Sequence, residues 1–201
     1  MWFVDGNHEQ HDRLEPGAVP VAVGRGINHL PRGARWCWEG VDFGALGGAV
    51  SPDRDDRVEG WDWFASEAIC EADVERLGGA PLDVLVTHDA PSWCRLEGTP
   101  AVRASVDRDT QRNRVFVDRA VQATRPALVL HGHWHRAHHV PADATRDRPA
   151  VVGLGAEGGP ASALLALLEI TTTGAGADRG VIWSVEPISS NEPATYPEEK
   201  R

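Results

Sequence analysis

Apolar residues in this chain come in short blocks separated by glycine, proline and charge, and the blocks predict a strand-rich α/β domain. Trp2–Val4 is a strand that runs into Asp5-Gly6-Asn7-His8-Glu9, where Gly6 allows a sharp turn. Residues 10–35 are rich in Pro, Gly and Arg and read as loop, apart from a short strand at Ile27–Leu30. Arg35–Glu39 and Val41–Leu46 read as a hairpin about Gly40, and residues 51–60 as a solvated charged loop. From Trp61 to Leu77 the apolar positions recur at three and four. That spacing predicts one amphipathic helix, with a break near Cys70 and a stop at Gly78-Gly79-Ala80-Pro81.

The second half repeats the pattern. Leu82–Val86 is a buried strand ending in Thr87-His88-Asp89. A second helix opens at Asp109 or Thr110 and closes before Pro126, and Ala127–Leu130 is the next strand. Residues 150–154, 163–171 and 181–185 read as an all-β finish with a turn at 174–180. Residues 1–188 then form one domain, and the polar stretch 189–201 is a disordered tail. Beginning on an apolar strand, the chain suggests a fold whose first strands are missing. The expected result is an exposed sheet edge through which copies can associate.

Three strands end in residues that can bind a metal: Asn7-His8, His88, and His131-Gly132-His133-Trp134-His135. His133 and His135 are two apart, so in an extended segment both rings point one way and Trp134 the other. Imidazole is the commonest nitrogen ligand for divalent transition metals. A short histidine tract alone is equally a surface turn. Three such strand ends together point to a site, because strand ends gather at one edge of a sheet.

Net charge narrows the partners. The formal charge is −10, with no basic stripe, so long nucleic acid is an unexpected partner while a small phosphorylated ligand is not. Cys37, Cys70 and Cys94 are sparse and odd in number, which fits a reducing, cytoplasmic setting. No run is long and apolar enough to span a membrane.

In order and spacing, Gly6-Asn7-His8-Glu9, Thr87-His88 and Gly132-His133-Trp134-His135 resemble the last three signature blocks of the calcineurin-like metallophosphoesterases. The resemblance implies an α/β fold, a two-layer β-sandwich flanked by helices, here N-terminally incomplete. It implies two divalent metal ions (Mn, Fe or Zn). Asn7, His88 and His133 would hold the second metal and His135 the first, with His8 as general acid toward the leaving group. It implies hydrolysis of a phosphoester by metal-bound hydroxide; paired metals ~3.5–4 Å apart acidify water and clamp an in-line displacement. The substrate class favoured by the acidic charge is small or nucleotide-like. The family pattern also carries an Asp-x-His and a Gly-Asp-x-x-Asp block before Gly-Asn-His, and only five residues precede Gly6 here. The expectation is therefore one metal, weakly held, unless Asp5, Asp12 or Asp89 substitutes. A non-catalytic remnant or binding module is the rival reading, and a mononuclear zinc hydrolase using His88, His133 and His135 a third.

For the remaining residues the plain roles are expected. Glu9 shapes its loop by hydrogen bonding, and His11, His29, His138 and His139 face solvent. His131 supports the ligands, Cys94 is a free thiol, and Trp134 lines the cleft or packs in the core. Arg54 and Arg57 are solvated, although either could reach a phosphate.

Overall fold

The computed structural model describes residues 1–14, 16–96, 102–156, 166–174 and 180–187. The expected tail, 189–201, lies outside them. The described chain is mixed α/β, with strands β1 (Trp2–Val4), β2 (Val21–Gly24), β3 (Ile27–Leu30), β4 (Arg35–Trp38) and β5 (Val41–Leu46) before the first helix. Helix α1 (Glu71–Leu77), β6 (Val84–Thr87), helix α2 (Ala104–Thr124) and β7 (Leu128–His131) follow. The last strands are β8 (His138–Val140), β9 (Ala150–Gly153), β10 (Ala166–Thr173) and β11 (Gly180–Pro187).

Six strands form the main sheet in the order β4-β5-β6-β7-β9-β8. Its centre, β5 through β9, is parallel, and the outer strands β4 and β8 are antiparallel to their neighbours. Parallel strands need crossovers, and α1 and α2 supply those into β6 and β7. Residue alternation divides the core. Leu85, Val129 and Val151 face the helices and pack with Leu77, Phe116, Val117 and Trp134. Val84, Leu128, Ala150 and Val152 face the other way, where Leu168, Ile170, Trp183 and Val185 of the β10–β11 hairpin cover them. Burying each such side chain stabilises the fold by roughly 1.5–3 kcal/mol.

A separate three-stranded sheet, β1-β3-β2, packs on this core through Val4, Leu30, Ala34, Trp36 and Ala45. β1 is an edge strand with Trp2 60% exposed, not the buried strand that its composition suggests. Its far end is held firmly. The Gly48 N–H donates to the Asp5 carbonyl at 2.8 Å, and Gly47 brings its backbone so near the Asp5 side chain that a Cβ would collide with it. The buried Asp5 carboxylate accepts from Arg32 Nε (2.8 Å) and from His29 Nε2 (3.2 Å). Arg32 also donates to the carbonyls of Glu67 and Ala68, each at 2.8 Å, and pairs with Asp73. One guanidinium thus ties the end of β1 to the segment leading into α1.

That same guanidinium explains why the helix expected over Trp61–Leu77 is α-helical only over Glu71–Leu77, preceded by a single 3-10 turn at Ala65–Glu67. Arg32 takes the carbonyls that a continuous helix would use, the Ile69 N–H donates to Asn113 Oδ1, and the Cys70–Asp73 capping box starts α1 afresh. Trp61 is 79% exposed, so its place in the periodic series carries no burial. α2 begins at Ala104, five or six residues before the expected start, because Val106 is fully buried and its first turn is anchored by Arg103–Asp56 and Ser105–Asp55 contacts. The expected hairpin at Gly40 is present, with Glu39 and Gly40 both left-handed (φ 48° and 79°). β2 and β8 were not expected: β2 is mostly exposed and β8 has only three residues.

Asp5 titrates below its ordinary 3.8: burial alone would raise it, and the His29 hydrogen bond and the Arg32 charge outweigh that. A lowered carboxyl adds stability that is present above its unfolded value and is lost as pH falls through the folded one. Arg32→Ala leaves that carboxylate buried with the His29 bond but without its guanidinium, and is expected to cost ~3–5 kcal/mol in urea unfolding at pH 7. The part of the difference owed to the Asp5 charge should fade as pH falls through the lowered carboxyl value, while the part owed to the Glu67 and Ala68 carbonyl bonds remains; an Arg32→Ala chain of unchanged stability at pH 7 would disprove the clamp.

Candidate functional site

The C-terminal ends of β1, β6 and β7 meet as their polar termini suggest, and all five expected residues border one cleft of about 420 Å³. Asn7 is buried, and its amide orientation is set from behind: Nδ2 donates to Ser51 Oγ (3.1 Å), which donates to the buried Glu67 carboxylate (2.8 Å). Burial pushes the Glu67 carboxyl up. Asn7 Oδ1 is therefore turned toward His88 Nε2 at 3.2 Å and His133 Nδ1 at 3.1 Å. The His88 ring also rests on Gly6, where a Cβ would lie 2.5 Å from Cε1.

The β7 exit is not extended. His133 and His135 both have left-handed backbones (φ 62° and 57°), which nevertheless sends both rings to the cleft and Trp134 inward. Trp134 is 9% exposed; it packs in the core and donates its indole N–H to Asp89 Oδ1 at 2.8 Å. Asp89 also accepts from Asn113 Nδ2 (2.7 Å), and its complete burial raises its pKa. This aspartate, on the β6 loop, thus supports the loop after β7.

His8 and His135 are exposed at the cleft, beside an ion pair that the loop reading of 51–60 missed. Arg57 donates to Asp53 at 2.9 Å, and both charges act on His8. Partial burial and the Arg57 charge lower the His8 pKa, while Asp53 and Glu9 oppose this. Arg54 is instead paired with Asp109 on α2. No sequence signal marks Asp53 or Ser51 as cleft residues, because their approach to His8 and Asn7 spans 44 or more positions.

Several plain expectations need correction. His11 and His29 are buried, bonded to the Gly6 carbonyl (3.0 Å) and to Asp5 respectively. Glu9 does shape its loop, accepting from the Gly6 N–H at 2.7 Å. His139 is exposed, but His138 turns inward against the buried His131 and Cys94. Those three side chains, with donor atoms all within 4.8 Å of one another, are close enough to bind a metal.

A divalent cation with ligands at ~2.0–2.2 Å spaces its donors by about 3–3.5 Å, the spacing that separates Asn7 Oδ1 from His88 Nε2 and from His133 Nδ1. His133 presents Nδ1 to this position; its Nε2, on the other side of the ring, is buried without a hydrogen-bond partner and takes no part in it. These residues fit one cation. They do not fit a second. Asp5 and Asp89 are engaged elsewhere, Asp12 is exposed outside the cleft lining, and among the described residues Asp53 is the one acid lining it. No protein-family model matches this chain, and no curated protein matches it significantly.

Burial lowers the His88 pKa to about 4 and that of His133 to about 3, so both rings are neutral, ligand-competent bases at pH 7. A histidine lowered on folding takes up its proton on unfolding, so its contribution is complete above pH 6.5 and declines as pH falls toward the folded value. Metal-free protein should lose stability from about pH 6.5 to 4, and ring NMR should show both imidazoles neutral at pH 5.5. An imidazole that titrates near 6.5 would refute the buried placement.

Proposed function

We propose that this chain is a metal-dependent hydrolase of phosphoesters, with the calcineurin-like sandwich as its fold. The observation that carries the reading is the convergence of Asn7 Oδ1, His88 Nε2 and His133 Nδ1 at 3.1–3.2 Å, with His8 and His135 on the same cleft. The hairpin lying over the far face of the main sheet supports the fold reading.

Asn7, His88 and His133 would hold a divalent ion, and His135 would reach toward the substrate. When bound, such an ion supplies Lewis acidity and a water that ionises near neutral pH. The remaining chemistry belongs to the chain. Trp134 and Asp89 hold the His133–His135 loop in register, and Ser51 keeps the Asn7 oxygen turned inward. His8, at the open side, would protonate the departing alkoxide. Its lowered pKa makes it a stronger acid, and a bound phosphate dianion beside it would restore its proton at neutral pH. A cleft of this size suits a small or nucleotide-like phosphoester.

One observation favours the rival reading, a binding module without turnover: no carboxylate joins Asn7, His88 and His133 among the described residues. The test is hydrolysis of p-nitrophenyl phosphate and bis-p-nitrophenyl phosphate with added Mn²⁺. His133→Ala should abolish turnover. His8→Ala should cost ~10²–10⁴-fold on an alkyl phosphoester and much less with the nitrophenolate leaving group. Metal and phosphate binding without turnover would establish the binding module instead.

A further inference from the structure

Beneath the cleft, the loop that carries His133 and His135 is closed at its base by two other histidines, His131 ending β7 and His138 opening β8. Their Nε2 atoms lie 3.3 Å apart, and His138 Nε2 lies 3.3 Å from Cys94 Sγ. The outer nitrogen of each ring is committed. His131 Nδ1 meets the Gly132 carbonyl at 2.9 Å, and His138 Nδ1 meets the Arg136 carbonyl at 3.1 Å. A carbonyl can only accept, so both Nδ1 atoms carry the proton and both Nε2 atoms present lone pairs. Two acceptors thus face each other in a partly buried space. Among the described residues, the hydrogen recorded within bonding distance is that of the Cys94 thiol, and it can serve only one of them.

We propose that Cys94, His131 and His138 form a zinc-type metal site distinct from the Asn7–His88–His133 cluster. A tetrahedral ion with Zn–N ~2.0–2.1 Å and Zn–S ~2.3 Å spaces its donors about 3.3–3.6 Å apart, which matches the two measured edges. One thiolate and two imidazoles are the donor set that a borderline-soft cation selects. The outer N–H bonds to carbonyls are the supports that metal-bound histidines ordinarily have. Space is provided as well: a Cβ at Gly153 would lie 2.6 Å from His138 Nδ1, so glycine there lets the ring turn in. Binding displaces the Cys94 proton to solvent, and the fourth position is left to water or an exogenous ligand. The ion would pin the loop after β6 to both ends of the loop after β7, holding the cleft from below. This site stands independently of the phosphoester reading.

Cobalt(II) reports on it directly, because only a thiolate ligand gives the near-ultraviolet sulfur-to-cobalt charge-transfer band. Titrating the full chain with Co²⁺ should produce that band, and Zn²⁺ should erase it. Cys94→Ser and His138→Ala should abolish it, whereas His88→Ala should leave it intact. Zn²⁺ should also slow alkylation of Cys94 at least tenfold, with the exposed Cys37 and Cys70 as internal controls. If Cys94→Ser does not fold, this protection still decides the matter in the wild-type chain. Absence of the band from wild type, its persistence in folded Cys94→Ser, or unprotected Cys94 would overturn the site. Rapid alkylation of Cys94, insensitive to Zn²⁺, would identify a reactive thiol–imidazole pair in its place.

Discussion

The buried pairing of Arg32 with Asp5 is the constraint on which the rest of this structure depends. β1 lies outside the main sheet, and yet Asn7 and His8 must reach the ends of β6 and β7. A three-residue edge strand with an exposed tryptophan has little burial to hold it there. The work falls to a desolvated carboxylate and to the guanidinium that answers it, which also fastens the segment before α1. Such a pair adds little net stability by itself. Its value is positional: removing either partner leaves a charge in the interior, so the two segments stay together.

From that anchor the cleft is assembled by side chains reaching across elements. Glu67 orients Ser51, Ser51 orients Asn7, and Asn7 faces two imidazoles. On the other side, Asn113 of α2 orients Asp89, and Asp89 holds Trp134 between the two cleft histidines. Asn7 is fixed by the hydrogen-bonded Ser51 and Glu67 behind it, and the His133–His135 loop by the bond of Trp134 to Asp89, which lowers the reorganisation needed when a charged ligand arrives.

Much of this was legible in the sequence because it is local. Strand blocks, the hairpin at Glu39-Gly40 and the polar residues at three strand ends depend on neighbours within a few positions. The Trp61–Ile69 segment was misread because tertiary hydrogen bonds from Arg32 and Asn113 override its helical spacing. Ser51, Asp53 and the Cys94–His131–His138 group were not legible. Nothing near Cys94 in the chain announces that β8 returns His138 beside it, since a pairing of that kind belongs to the topology of the sheet.

The left-handed backbones of His133 and His135 have a consequence for how this loop can change. Residues with side chains occupy that region at a cost of order 1–3 kcal/mol each, and glycine or asparagine would sit there with less strain. The loop therefore holds its two imidazoles against the conformational preference of the peptide itself. Drift toward sturdier folding would erode this corner first, and keeping the histidines means forgoing that easy gain in stability.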